Sequence, residues 1–165
     1  MTTESETLLR SLIDQIGLFY DYFLAFFLLA LFWVGNHRQF HFIKKADHNF
    51  LWLSILQLMF IVLIPYTTLI SGRFRTLQPA VVIFEMNILI VSVIMSILWY
   101  YATKNRRLID NDLDEKIIIS GRRRGQVASA VSVVAISISF ISPENSTLAY
   151  LSLPFLMRYV ATTGG

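Results

Sequence analysis

Five apolar stretches, separated by short polar segments, dominate the chain of 165 residues. We call the predicted helices A to E, at about residues 8–36, 50–70, 79–101, 127–142 and 147–160. A bilayer core about 30 Å thick needs about 20 apolar residues in a helix that rises about 1.5 Å per residue. The pattern therefore predicts an all-α integral membrane protein, a polytopic bundle of about five transmembrane helices in a single transmembrane domain over residues 1–165.

Prolines and capping residues indicate where these helices begin and bend. Asp47 or Asn49 is expected to cap helix B, Pro65 to bend its last turns, and Pro143 to end helix D. The polar stretch 103–126 has room for a short surface helix. Small residues recur along one side of helix D, which suits close helix packing or, alternatively, the lining of a pore. They are Ala128, Ser132, Ala135 and Ser139.

Composition agrees with a membrane protein and excludes several functions. Charged residues make up 15% of the chain, and the mean hydropathy is +0.59, whereas soluble domains are about 25% charged. There is no cysteine, so thiol chemistry is absent. No nucleophile elbow, phosphate loop or nucleotide fingerprint occurs. We therefore predict no enzyme activity, no catalytic residue, no cofactor and no nucleic-acid partner; the lipid bilayer is the expected surrounding.

The distribution of basic residues predicts the orientation in the membrane. Eleven of the 14 Lys and Arg residues would lie on one side, which places the A–B loop, the C–D loop and the C-terminus in the cytoplasm. Five helices then leave the N-terminus outside. A further helix before residue 1 would return the start to the cytoplasm and give six helices; a natural outside N-terminus is the alternative.

The hairpin formed by the end of helix A and helix B resembles the transmembrane protein 175 family of potassium channels. Its sequence is FWVGNHRQF, over residues 32–40, followed by HFIKKADHNFLWLSILQLMFIVLIPYTTLISG, over residues 41–72. The positions that carry the likeness are Phe32, Trp33, Asn36, His37, Arg38, Phe40, Leu51, Trp52, Leu53, Ser54, Ile64, Pro65, Tyr66 and Asn87. The likeness is specific over about residues 22–101. The family's first, pore-lining helix is not found in this chain.

The resemblance implies that helices A to E match helices two to six of a six-helix fold. It further implies a potassium-selective channel subunit that conducts K⁺ passively as a homo-oligomer, a tetramer, in a prokaryotic cell membrane. The pore-lining residues stay unassigned, because the lining helix is missing. The alternative is a non-conducting scaffold, or a partial subunit whose pore helix is lost or supplied by another chain.

The polar residues at the end of helix A are the first candidate site. Trp33 and His37 are four residues apart and share one helix face. In the family, the equivalent residues belong to a polar network that braces the first helix, so the resemblance implies this role for Trp33, Asn36 and His37. The alternative is that Trp33 is an interfacial anchor and His37 is solvated.

Two acids inside or near apolar spans, Asp21 and Glu85, are the second candidate site. Intramembrane acids are candidates for ion sites or proton relays, which would favour a proton-coupled transporter. The alternative is interfacial: Asp21 is solvated at the outer boundary, and Glu85 snorkels or pairs with Arg73 or Arg75.

Two other polar groups admit only weaker interpretations. His37 and His41 are four residues apart, near Asp47 and His48, a spacing that can bind zinc; a third ligand is not assured, and we assign no metal site. The arginines at 122–124 are interpreted as topological anchors, with contact to anionic lipid as a secondary role.

Overall fold

The computed structural model describes residues 12 and 15–162, and its helices form an all-α bundle without a named strand in those residues. The helices are α1 (Ile16–Phe42), α2 (His48–Val62), α3 (Ile64–Arg73), α4 (Gln78–Thr103), α5 (Glu115–Ser139), α6 (Pro143–Ser146) and α7 (Leu153–Thr162), with 3-10 turns at Lys104–Arg106 and Thr147–Ser152. Among the described residues, three segments are long and apolar enough to cross a membrane: Ile16–Phe42, His48–Arg73 and Gln78–Arg106. The predicted all-α membrane bundle is confirmed. The predicted start of helix A near residue 8 lies outside the described residues.

The second span is divided into α2 and α3. The carboxylate of Asp47 accepts a hydrogen bond from the Phe50 amide at 2.9 Å, which confirms Asp47 as the cap of this span. Leu63 separates the two helices, and Pro65 lies in the first turn of α3. Proline has no amide hydrogen, so it removes a bond of a continuous helix. The bend expected near Pro65 is therefore a break between two helices.

Helix α5 begins at Glu115, about three turns before the predicted start at residue 127. Asp114 caps it by accepting a hydrogen bond from the Lys116 amide at 2.9 Å. The glycines within it contact α4 closely: a Cβ at Gly121 would meet the indole of Trp99, and one at Gly125 would meet the side chain of Ser96. Since packing supports this segment, the arginines at 122–124 lie in a continuous helix and not in a loop. The helix ends at Ser139, before Pro143.

The C-terminal part differs from the single helix predicted over residues 147–160. It consists of α6, the 3-10 turn Thr147–Ser152 and α7. Pro143 lies in the first turn of α6, and Pro154 follows the first residue of α7. Both prolines lack the amide that would continue a preceding helix, so the segment folds as three short pieces against α5.

Helix α4 is at the centre of the bundle. It packs against α2, α3 and α5, while α1 packs against α3 and α7 against α5. The main core joins α1, α3, α4, α5 and the C-terminal segments, and its buried members include Leu28, Phe84, Ile88 and Tyr150. The predicted packing role of the small residues is confirmed, because Ala128, Ser132, Ala135 and Ser139 are all buried.

Two loops at one end of the bundle are joined at one place, which we call the loop junction: residues 43–47 and 107–109. Ile43 and Ile109 form an isolated antiparallel bridge, and the Lys44 amide donates to the Leu108 carbonyl at 2.9 Å. Asp47 accepts from the Tyr101 hydroxyl at 2.7 Å and forms an ion pair with Arg107 at 3.2 Å. One carboxylate thus connects the start of α2 to the end of α4.

The charge of Asp47 predicts an acid-dependent loss of stability. The Phe50 amide, the Tyr101 hydroxyl and Arg107 hold the pKa of Asp47 below its ordinary value of 3.8. A lowered folded-state pKa stabilises the protein fully above the unfolded pKa, and this contribution is lost as the pH falls through the lowered value. Asp47→Asn keeps a capping side chain and removes the charge. We expect the variant to be less stable than wild type at neutral pH.

The measurement is the thermal midpoint in neutral detergent from about pH 5 to about pH 2. The difference between wild type and variant should shrink as the pH falls. Asp112→Asn, an exposed acid in the following loop, is the matched control and should leave the pH profile of the midpoint unchanged. A difference for Asp47→Asn that is constant over this range would contradict the assignment.

Candidate functional site

The polar end of α1 lies on the outside of the described bundle. Trp33 is 70% exposed, and His37 is also exposed. They belong to an exposed face of α1 that repeats at helical spacing; its other members include Phe19, Phe23, Phe26, Ala30 and Phe40. This face, with Trp33 and His37 near its end, is defined as the α1 outer face. Both N–H donors are therefore exposed on the outside of the described bundle. If they brace another helix, that helix must pack against the α1 outer face.

Asn36 has a partner that the sequence interpretation missed. Its amide oxygen accepts a hydrogen bond from Gln57 Nε2 at 3.1 Å, and Gln57 is only 1% exposed. One turn further along α1, Gln39 Nε2 donates to the Met95 carbonyl at 3.3 Å. These contacts join α1 to α2 and α4 through polar side chains. A signal was present, because Gln57 is an amide in the apolar part of a helix, a position where polar groups usually bond between helices.

Asp21, near the start of α1, forms an ion pair with Arg75. Its Oδ1 lies 3.0 Å from Arg75 Nη2, and the Asp21 side chain is 8% exposed while that of Arg75 is 42% exposed. Arg75 also donates to the Gly17 and Gly72 carbonyls and lies over the Tyr20 ring. The interpretation of Asp21 as solvated is therefore wrong. The reason is that the turn after α3 brings Arg75 back to α1, a tertiary contact that links residues 54 positions apart.

A cavity of about 230 Å³ borders this ion pair. Its wall includes Thr68, Ser71, Glu144 and Asn145 in addition to the paired side chains. Gly72 closes one side: a Cβ at this position would collide with the Asp21 carboxylate. The cavity has both polar and apolar walls and a size that could hold several waters, and it lies at the end of the bundle away from the loop junction.

Glu85 is fully buried in α4, which shows that the interpretation as a snorkelling or Arg-paired side chain is wrong. Neither carboxyl oxygen has a hydrogen-bond partner among the described residues. Ser139 and Ser146 lie near it, but their hydroxyls donate to the Ile136 and Pro143 carbonyls. Tyr150 is the other neighbour. A charge at such a position costs far more than in water, and the relay role of Glu85 stays a prediction.

Asn87 follows Glu85 on α4 and is nearly buried, with 4% exposure. Its Nδ2 donates to Thr67 Oγ1 at 3.3 Å, and Thr67 lies on α3 two residues after Pro65. The side-chain oxygen Oδ1 of Asn87 has no partner among the described residues. This side chain therefore joins the broken span to the central helix near the middle of the bundle.

Within the described part of the chain, no group of three or more His, Cys, Asp or Glu residues is placed to hold a metal ion. His48 Nε2 instead accepts a hydrogen bond from the Trp52 indole at 2.8 Å. His41 lies edge-on to Phe42. Among these residues, no third ligand therefore lies close enough to complete a zinc site with His37 and His41.

The polar end of α1 and the helix after it lie in a part of the chain that is similar to a known family. Residues 1–65 match the model of the family described as "Endosomal/lysosomal potassium channel TMEM175". This range contains the Trp33, Asn36 and His37 end of α1 together with α2. The family consists of ion channels and is not a class of enzymes.

Two bacterial relatives extend the similarity over most of the chain. A potassium channel of Streptomyces collinus is 21% identical over 133 residues, which cover 78% of this chain and 65% of the relative. A potassium channel of Chamaesiphon minutus is 23% identical over 142 residues, which cover 84% of this chain and 70% of the relative. The chain thus spans about two thirds of the length of these relatives. No solved structure matches it. The family match and the two relatives confirm the resemblance to this potassium channel family that the hairpin predicted.

Proposed function

We propose that the chain is a subunit of an oligomeric, potassium-selective channel that conducts K⁺ passively across a membrane. The observation that carries this proposal is the match of residues 1–65 to the TMEM175 family, together with the two potassium channels that resemble most of the chain. The proposed assembly is a homo-tetramer in a prokaryotic cell membrane. The A–B and C–D loops and the C-terminus are cytoplasmic in this proposal, as the distribution of basic residues favours.

The proposed brace uses the α1 outer face. Trp33 and His37 offer N–H donors from an exposed position, while Asn36 is already bonded to Gln57 in the adjacent span. A donor in a membrane needs a partner, because an unsatisfied group in lipid is costly. In the proposal, Trp33 and His37 find that partner on a pore-lining helix of the channel that the subunits form. Selectivity then comes from the constriction and dipoles of that helix, to which no residue is assigned here.

The test is K⁺ flux into proteoliposomes that contain the purified protein, driven by a K⁺ gradient with no proton gradient. We expect K⁺ uptake well above that of empty liposomes. It should also exceed the Na⁺ uptake of the same proteoliposomes under an equal Na⁺ gradient. Trp33→Ala and His37→Ala should reduce the uptake, whereas Trp52→Ala, an exposed tryptophan of α2, should retain it.

Each alternative gives a different result in the same assay. A non-conducting scaffold or partial subunit gives no flux from the correctly assembled protein. A proton-coupled transporter that uses Asp21 and Glu85 requires a proton gradient, and Glu85→Gln then abolishes the coupled uptake. Equal losses for Trp33→Ala and Trp52→Ala would contradict the brace, since both side chains are similarly exposed and only one belongs to the matched polar end of α1.

A further inference from the structure

A large open cavity lies among α1, α4, α5 and α7, away from the Asp21 ion pair. Its volume is about 800 Å³, within the range of about 300–1,000 Å³ that is typical of ligand cavities. Most of its wall is apolar, with Leu31, Val34, Met95 and Met157 among the lining residues. The apolar wall runs along helices that cross the membrane, so its natural occupant is a hydrocarbon chain.

One end of this cavity is basic. Arg38, Lys116, Arg124 and Arg158 line it, and among the described residues no acidic side chain does. Lys116 and Arg124 come from the first half of α5, and Arg38 from the last turns of α1. These segments lie at the end of the bundle that carries the loop junction. When the apolar wall lies at the depth of the acyl chains in the bilayer, the basic end thus lies at the depth of the lipid headgroups.

Arg124 has an unsatisfied polar atom at this basic end. Its Nε is buried and has no hydrogen-bond partner among the described residues, and none of the ion pairs among those residues involves Arg124 or Arg38. Arg124 precedes the membrane stretch predicted from residue 127, and its pKa is lowered by burial and by the neighbouring Arg38. Two neighbouring positive charges, one of which has a buried nitrogen without a partner, favour an anionic acceptor.

We propose that this cavity binds an anionic phospholipid of the adjacent leaflet, with its phosphate between Arg38 and Arg124 and an acyl chain along the apolar wall. A phosphate has acceptor oxygens in the arrangement that the planar guanidinium group binds best. An apolar helix of another chain fills the wall but gives the two guanidinium groups no acceptor. The charge complementarity therefore favours a lipid, and this inference holds whether or not the protein conducts ions.

The experiment is a titration of the purified full chain in neutral detergent, with bound lipid counted by native mass spectrometry. The probes are phosphatidylglycerol, phosphatidylcholine with the same acyl chains, and inorganic phosphate. We expect wild type to bind phosphatidylglycerol at least about fivefold more tightly than phosphatidylcholine. We expect Arg124→Gln to weaken phosphatidylglycerol binding by about fivefold or more. Arg123→Gln, an exposed arginine that does not line the cavity, should change it less than about twofold.

A second variant tests the acyl chain. Met157→Trp places a large ring on the apolar wall and leaves the arginines unchanged, so it should weaken the binding of both phospholipids. The comparison of the two lipids is made on the wild-type protein and needs no variant, so a folding defect of Arg124→Gln leaves this comparison valid.

Equal binding of the two phospholipids overturns the proposal, as does displacement of phosphatidylglycerol by inorganic phosphate. A change in oligomer mass with no change in bound phosphatidylglycerol for Arg124→Gln also overturns it, since another chain would then fill the cavity.

Discussion

Replacing Trp99 by alanine is expected to lower the stability of the bundle by about 3–5 kcal/mol. Trp99 is only 2% exposed, and its indole N–H donates to the Ile118 carbonyl at 3.0 Å. The ring also lies edge-on to Phe42 at 6.4 Å and against Gly121 of α5. Truncation therefore leaves a void between α1, α4 and α5 and removes the hydrogen bond of a buried carbonyl.

Thermal unfolding in neutral detergent, followed by the helical circular dichroism signal, measures this effect. The midpoint should fall by roughly 6–20 °C for a chain of this size. The other two tryptophans provide matched controls, because Trp33 and Trp52 are 70% and 60% exposed. Their alanine variants should unfold within a few degrees of wild type. The packing role assigned to Trp99 is wrong if all three variants share one midpoint.

Removing the charge of Arg75 is expected to lower the stability of the protein more than removing the charge of Asp21. Arg75→Gln leaves the Asp21 carboxylate, 8% exposed, without its counter-charge, and we expect a loss of about 1–3 kcal/mol after allowance for the partial exposure of Arg75. Asp21→Asn leaves an arginine that is 42% exposed and can still reach water. Its loss should stay below about 1 kcal/mol.

The double variant Asp21→Asn with Arg75→Gln completes a cycle that isolates the pair. It should be more stable than Arg75→Gln alone, because no buried charge is then left unpaired. Arg73→Gln, an exposed neighbour, is the control and should unfold like wild type. If Arg75→Gln and Asp21→Asn are equally damaging, the unequal burial of the two groups does not govern the energy of the pair.

The features that the sequence predicted well are local ones. The lengths of the apolar runs gave the helical bundle, and Asp47 was a recognisable cap because capping depends on a side chain and the amide three residues later. The packing side of α5 followed from its small residues, whose spacing is visible without any knowledge of their neighbours.

The features that it missed depend on contacts between distant segments. The true start of α5 at Glu115 relies on close contact of Gly121 with Trp99, and a polar, glycine-containing stretch alone indicates a loop. The pairing of Asp21 spans 54 positions, so no local pattern identifies Arg75 over Arg73. Of the three arginines at 122–124, only Arg124 lines the large cavity, a distinction that needs the helix and its neighbours. Trp33 and His37 were found through the family likeness, and their bracing role stays a prediction.

The loop junction limits how the bundle can move. The Ile43–Ile109 bridge and the Lys44–Leu108 hydrogen bond tie the segment after α1 to the segment between α4 and α5, and Asp47 adds side-chain bonds at the same point. A tilt of α1 must therefore either break main-chain hydrogen bonds or turn the loop before α5 along with it. One end of the bundle thus acts as a fixed pivot, and rigid-body displacement of α1 against its neighbours is largest at the opposite end, where Asp21 meets Arg75.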